Sequence, residues 1–146
     1  MSDKKEHIKK LIQKEIAYER KDTFVNHVKS WWSGDGELSG VVSENSFTVW
    51  SCKWRQSGIM HVVVEGEFIE NNEILKVLLK PRINIAGKIF LVSFLIFWAI
   101  GVVGFMGKEA LLLRCLLFLV FPAMFVLGYN FERKIILEAV EKIISG

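Results

Sequence analysis

The sequence is poor in the residues that most often announce chemistry: among 146 residues there are two cysteines, three histidines and two prolines. Cys52 lies in a stretch of alternating polarity and Cys115 in an apolar run, so the pair reads neither as a disulfide framework nor as half of a zinc site. His7 and His27 have no cysteine or acid at ligand spacing. No Gly-Lys-Ser/Thr and no GxGxxG occurs, and the one glycine-dense stretch outside the apolar block, 33–40, reads as a turn leading into a strand. No local Ser/His/Asp or Cys/His motif is present, so the sequence points to no enzyme and no cofactor. Nineteen basic and sixteen acidic residues leave +3, too little, without a clustered patch, for nucleic acid as a partner. The polar start, Met-Ser-Asp-Lys-Lys-Glu, is followed by no short apolar run, so no cleavable signal peptide is expected.

What the chain has is hydrophobic length. Residues 89 to 131 are apolar except around Gly107, Lys108 and Glu109. Residues 89–106 carry no charge over 18 positions, the short end of what crosses a hydrocarbon core of about 30 Å at about 1.5 Å per residue. The second run, 110–131, carries one charge, Arg114, close enough to its start to snorkel to the interface. Pro122, in its middle, removes a backbone hydrogen bond and predicts a kink. We read 88–131 as a two-helix transmembrane hairpin. Lys76, Lys80, Arg82, Lys88, Arg133, Lys134 and Lys142 lie on its outer flanks, against Lys108 and Arg114 at the turn. The bias predicts two spans in the inner membrane with both termini cytoplasmic.

Residues 1–32 read as a helical segment. Asp3 and Glu6 fit a capping box, and Ile8, Leu11, Ile12 and Ile16 recur at helical intervals, with a restart possible after an Asp22 cap. The stripe has two competing uses, lying on an anionic membrane through Lys9, Lys10 and Lys14 or closing a protein core. From 33 to 87 the period changes to two, giving strands at 37–43, 46–54, 59–69 and 73–80 and hence a four-stranded antiparallel meander on the cytoplasmic side. A two-residue turn at Asn71-Asn72 would pair Ile69 with Ile74, Glu67 with Lys76, Gly66 with Val77 and Val64 with Leu79. Gly66, inside the apolar ladder, marks a bulge or the close approach of a helix. His61, Glu65 and Glu67 share a face, but His61 and Glu65 are about 13 Å apart along a strand, so a solvated charged face is expected.

The aromatics complete the reading. Trp50 and Trp54 share one face of the second strand and are either core residues or partner contacts. Trp98 falls mid-span, where it packs on the second span or on another membrane subunit. Residues 132–146 form an amphipathic helix whose stripe (Ile135, Ile136, Ala139, Val140, Ile143, Ile144) needs a surface, the open face of the meander being nearest.

A Phe-x-Val strand (Phe47, Val49), Arg55 in a turn, a Gly-x-Phe strand (Gly66, Phe68), the strand from Ile74 to Leu79, a two-helix hairpin and a terminal amphipathic helix together resemble small uncharacterised bacterial membrane proteins with a cytoplasmic β-meander. The resemblance covers 37–144 and implies no activity and no site residues. The expected fold is an α+β membrane protein: N-terminal amphipathic helix, four-stranded antiparallel meander, transmembrane hairpin, C-terminal amphipathic helix. The expected function is a non-enzymatic membrane interaction protein, an accessory subunit or immunity-type protein with a protein partner. The alternatives are a lipid-responsive surface module and a membrane enzyme with dispersed residues. Candidate partner or lipid contacts are Trp50, Trp54, Trp98, Arg114, Lys9, Lys10 and Lys14.

Overall fold

The computed structural model describes residues 2–33, 38–51, 61–71, 74–105 and 111–145, the side chains of Ser2, Trp31, Ser33 and Phe121 and of 102–105 and 111–118 excepted. The glycine-rich turn at 34–37, Cys52, Trp54 and Arg55 lie outside the described residues. In chain order the elements are α1 (Ser2–Glu15), β1 (Tyr18–Glu19), α2 (Phe24–Ser33), β2 (Leu38–Val42), β3 (Ser46–Ser51), β4 (Val62–Asn71), β5 (Ile74–Ile83), α3 (Ile85–Phe105) and α4 (Leu111–Ser145).

The fold is α+β, with one five-stranded sheet in the order β1-β2-β3-β4-β5. The expected meander of four antiparallel strands is corrected in one respect: β1 adds a parallel edge to β2. Two residues are too few to leave a period-two signal. Backbone bonds from Ala17 N–H to Leu38 O and from Arg20 N–H to Gly40 O, both 2.9 Å, hold β1 in place. The N-terminal segment is therefore two helices with a strand between them. The second is capped by Thr23, whose hydroxyl accepts from Asn26 N–H at 3.4 Å, and not by Asp22. β5 continues through Pro81 to Ile83, which an edge strand tolerates because the missing N–H faces away from the ladder.

The β4–β5 register differs from expectation by two residues: Asn71 pairs with Ile74, Ile69 with Lys76, Glu67 with Leu78, Gly66 with Leu79 and Val64 with Pro81. A slip of two preserves which face every side chain occupies, so the hydrophobic pattern could not tell the registers apart. Glu67 consequently pairs with Lys80 at 2.8 Å rather than with Lys76. Gly66 marks neither a bulge nor a helix. It lies opposite Phe47 on β3, and a Cβ there would meet the Phe47 ring at 2.0 Å.

The sheet is covered on both faces. On one, Phe47, Val49, Val62, Val64 and Phe68 pack with Ile8 and Ile12 of α1 and with Ile136 and Val140 of α4. The other face carries Ser39, Trp50 and Val63, all buried, beneath α2. α1 thus turns its isoleucine stripe into the protein, and Lys10 and Lys14 are exposed on its outer side.

α3 and the first half of α4 meet beyond the sheet through aromatic side chains. Phe90, Phe94 and Trp98 stack along α3 with ring centroids 6.2 Å apart, and Phe94 meets Phe125 of α4 edge-on at 5.6 Å. α4 is one helix of 35 residues with Pro122 inside it, about 52 Å long at 1.5 Å per residue. Among the described residues no helix is long and apolar enough to cross a membrane; the described side chains of α3 end at Gly101, whereas its backbone continues to Phe105.

Two outcomes test this packing. Gly66→Ala is expected to cost about 1–3 kcal/mol through overpacking against Phe47, partly recovered by Phe47→Leu, as read by chemical denaturation. Ile12→Ala, at a position 1% exposed, is expected to cost about 2–5 kcal/mol. Lys10→Ala stays within about 0.5 kcal/mol of the parent; equal effects of the two would contradict a buried α1 stripe.

Candidate functional site

On the α2 side of the sheet, beside Trp50 and Val63, a group of polar residues is buried. His27, His61 and Asn84 are fully buried and Ser30 nearly so. Each comes from a different place in the chain: His27 and Ser30 from the inner side of α2, His61 from the entry to β4, Asn84 from the junction of β5 and α3. Buried polar groups must find partners or cost on the order of 1–3 kcal/mol each, and these find one another.

The chain of contacts begins at the carboxylate of Asp22, just before α2. One oxygen accepts from His27 Nε2 and the other from Arg82 Nη2. Arg82, near the end of β5, also donates through Nε to Glu65 Oε1 at 2.8 Å. His27 Nδ1 lies 2.8 Å from His61 Nε2. The His61 carbonyl accepts from Asn84 Nδ2 at 2.8 Å, and Asn84 Oδ1 accepts from Gly87 N–H at 2.7 Å, capping α3. The path therefore runs from β5 through α2 to the first turn of α3. The ring of Trp50 closes one side, 4.7 Å from that of His27. Arg20 extends the network by donating to Ser30 Oγ at 2.8 Å.

Proton positions follow from the partners. A carboxylate only accepts, so His27 Nε2 carries a proton. Burial, opposed by the Asp22 carboxylate, holds the His27 imidazole below its ordinary value and hence neutral. Its Nδ1 is then an acceptor, and His61 Nε2 donates to it. Asp22 is pushed up by burial, but the hydrogen bonds from His27 and Arg82 outweigh this and leave it below the usual carboxylate range. Burial weakens the charged form of Arg82 less than Glu65 and Asp22 strengthen it, so it is held above its ordinary value. A proton added to His27 must go to Nδ1, turning an acceptor into a donor. His61 would then have to present Nε2 as an acceptor and move its own proton to Nδ1.

The other sequence candidates are scattered. Trp50 is fully buried in this cluster. Trp98 is half-buried on α3. Lys9 is paired with Glu6 at 2.8 Å, and Lys10 and Lys14 are on the outside of α1, so none of the three meets the others' chemistry. Trp54 and the Arg114 side chain lie outside the described residues. His61 is not on a solvated face, because α2 covers it. Asn84 three residues before Gly87 is a readable capping signal, and Asp22, His27 and Ser30 share one helical side. The approach of Arg82 to Asp22, 60 residues apart, had no local signal. Among the described residues no group of three or more His, Cys, Asp or Glu side chains is placed to hold a metal ion.

No family model, no curated protein and no solved structure matches the chain.

His27 and Asp22 both bind protons less readily folded than unfolded. The His27 contribution to stability is therefore complete above 6.5 and is lost as pH falls through its lowered folded value. That of Asp22 is complete above 3.8 and is lost below it. Unfolding midpoints are expected to drop on acidification from pH 7, and His27→Phe should flatten the part of the drop nearest neutrality. Asp22→Asn is expected to destabilise by about 1.5–3 kcal/mol at pH 7, the range for hydrogen bonds to charged groups. A flat parent profile between pH 7 and 5 would contradict the buried neutral imidazole.

Proposed function

We propose that the chain is an integral membrane protein that works by binding rather than catalysis, with α3 and the first half of α4 embedded in the bilayer and the covered sheet on the cytoplasmic side. One observation carries the membrane reading: among the described residues, large apolar side chains are exposed along both α3 and the first half of α4. Phe97 and Leu119 are each 74% exposed and Leu127 69%, with Phe90, Val92, Ile96 and Ile100 exposed on α3 and Met124, Val126 and Phe131 on α4. An apolar patch of this extent is foreign to a water-facing monomer and natural in lipid. α3 runs for 21 residues with Lys88 its only charge, and its exposed apolar side chains extend from Ile85 to Ile100. The cytoplasmic side is argued from the seven basic residues on the outer flanks against two at the turn.

Binding rather than catalysis is supported by the character of the polar cluster. His27 and His61 are sealed under α2, out of reach of a substrate, and among the described residues the path from Arg82 to Gly87 is made of hydrogen bonds within the chain. Its physical effect is to fasten the sheet and α2 to the start of α3, so that a load on one reaches the other. The binding partner is a membrane protein or the lipid itself.

The test is extraction of the full chain expressed in bacterial membranes. It should stay in the pellet through alkaline carbonate and high salt and dissolve only in detergent. A cysteine at Leu127, in a background with Cys52 and Cys115 replaced by serine, should resist a membrane-impermeant maleimide until detergent is added. Release by carbonate would sink the reading.

A further inference from the structure

Resting on the reading of α3 and α4 as bilayer-embedded, we propose that α2 is a membrane-surface helix, its outer stripe of Phe24, Val25, Val28 and Trp32 lying in the headgroup region of an anionic bilayer beside the entry of α3. α2 is two-sided. His27 and Ser30 are buried on the sheet, while at 100° per residue Phe24, Val25, Val28 and Trp32 fall within an arc of about 100° on the far side. That outer arc is where a water-facing helix carries charge. Here Val25 is 56% and Trp32 77% exposed, and Phe24 is exposed as well.

Position supplies the occupant. α2 packs against α3, and the path through His27, His61 and Asn84 ends in the first turn of α3. The exposed apolar surface of α3 begins at once with Ile85, Ile89 and Phe90, so the α2 stripe continues a surface already assigned to lipid. Charge agrees: Lys21 and Lys29 flank the stripe and Lys88 sits in the first turns of α3, all exposed. Tryptophan favours the headgroup level and lysines the surface of anionic lipid. α1, the helix whose sequence first suggests a surface role, has its isoleucines in the core, whereas Phe24, Val25 and Trp32 of α2 are exposed.

The experiment uses the full chain with Cys52→Ser and Cys115→Ser and one nitroxide at a time, on Val25→Cys, Trp32→Cys, Glu15→Cys or Leu127→Cys, in nanodiscs of phosphatidylcholine with or without phosphatidylglycerol. Collisions with oxygen report lipid and collisions with a water-soluble nickel chelate report water. Labels at 25 and 32 should favour oxygen in phosphatidylglycerol discs and lose that preference when Lys21→Glu and Lys29→Glu are added; the label at 15 should favour nickel throughout. Nickel at 25 and 32 with oxygen at 127 would overturn this proposal and leave the embedded hairpin standing. Nickel at 127 would overturn both. Shielding of 25 and 32 from both reagents would mean a protein, or a second copy, covers the stripe, and would also overturn it.

Discussion

The Asp22 carboxylate ties together parts of the chain that have no other reason to meet. It takes one hydrogen bond from His27 on α2 and one from Arg82 on β5, and the acceptor geometry of that single group sets the tautomer of His27 and, through it, the donor of His61. Without it a guanidinium and an imidazole N–H would face each other with Glu65 as the sole remaining counter-charge, a far costlier arrangement than the pair itself is worth. Burial keeps the His27 imidazole below its ordinary value, and the hydrogen bonds from His27 and Arg82 keep Asp22 below the usual carboxylate range, so the cluster resists acid.

The two faces of the sheet are built on opposite principles. The α1 and α4 face is apolar, held by area: the ring of Phe47 occupies the space a side chain at 66 would take, and Ile8, Ile12, Ile136 and Val140 pack in the same core. Such a core tolerates repacking of equal volume. The α2 face is polar and directional, with distances of 2.7–2.8 Å along the path from His27 to Gly87, and so specifies one placement of α2 and of the start of α3. The apolar face supplies cohesion and the polar face supplies position.

Both faces are connected to the outward-apolar helix pair. α3 leaves directly from the polar path at Asn84, and α4 returns without a break into the apolar core, where Ile136 and Val140 are buried and the Tyr129 hydroxyl donates to Pro81 O at 3.3 Å. With α3 and α4 embedded as proposed, the sheet is fixed to the bilayer by two continuous helical attachments rather than by flexible linkers, and α2 lies beside the first of them.

Much of this was legible in order and not in contact. The period-two strands, the isoleucine stripe of α1 and the terminal amphipathic stripe follow from local side-chain periodicity, and the structure has those strands and buries both stripes, although it joins the terminal stripe to the second apolar run in one helix. The β4–β5 register escaped because a two-residue slip leaves every face unchanged, and β1 because two residues have no period. The sequence by itself determined where the longer helices and strands lie and which of their faces are apolar, since those preferences act between residues a turn or a pleat apart. Only the tertiary structure decided that His27, His61, Asp22, Arg82 and Asn84 form one chain. Hydrogen bonds between residues up to 60 positions apart depend on where the backbone has already been carried by packing, and no local spacing records that.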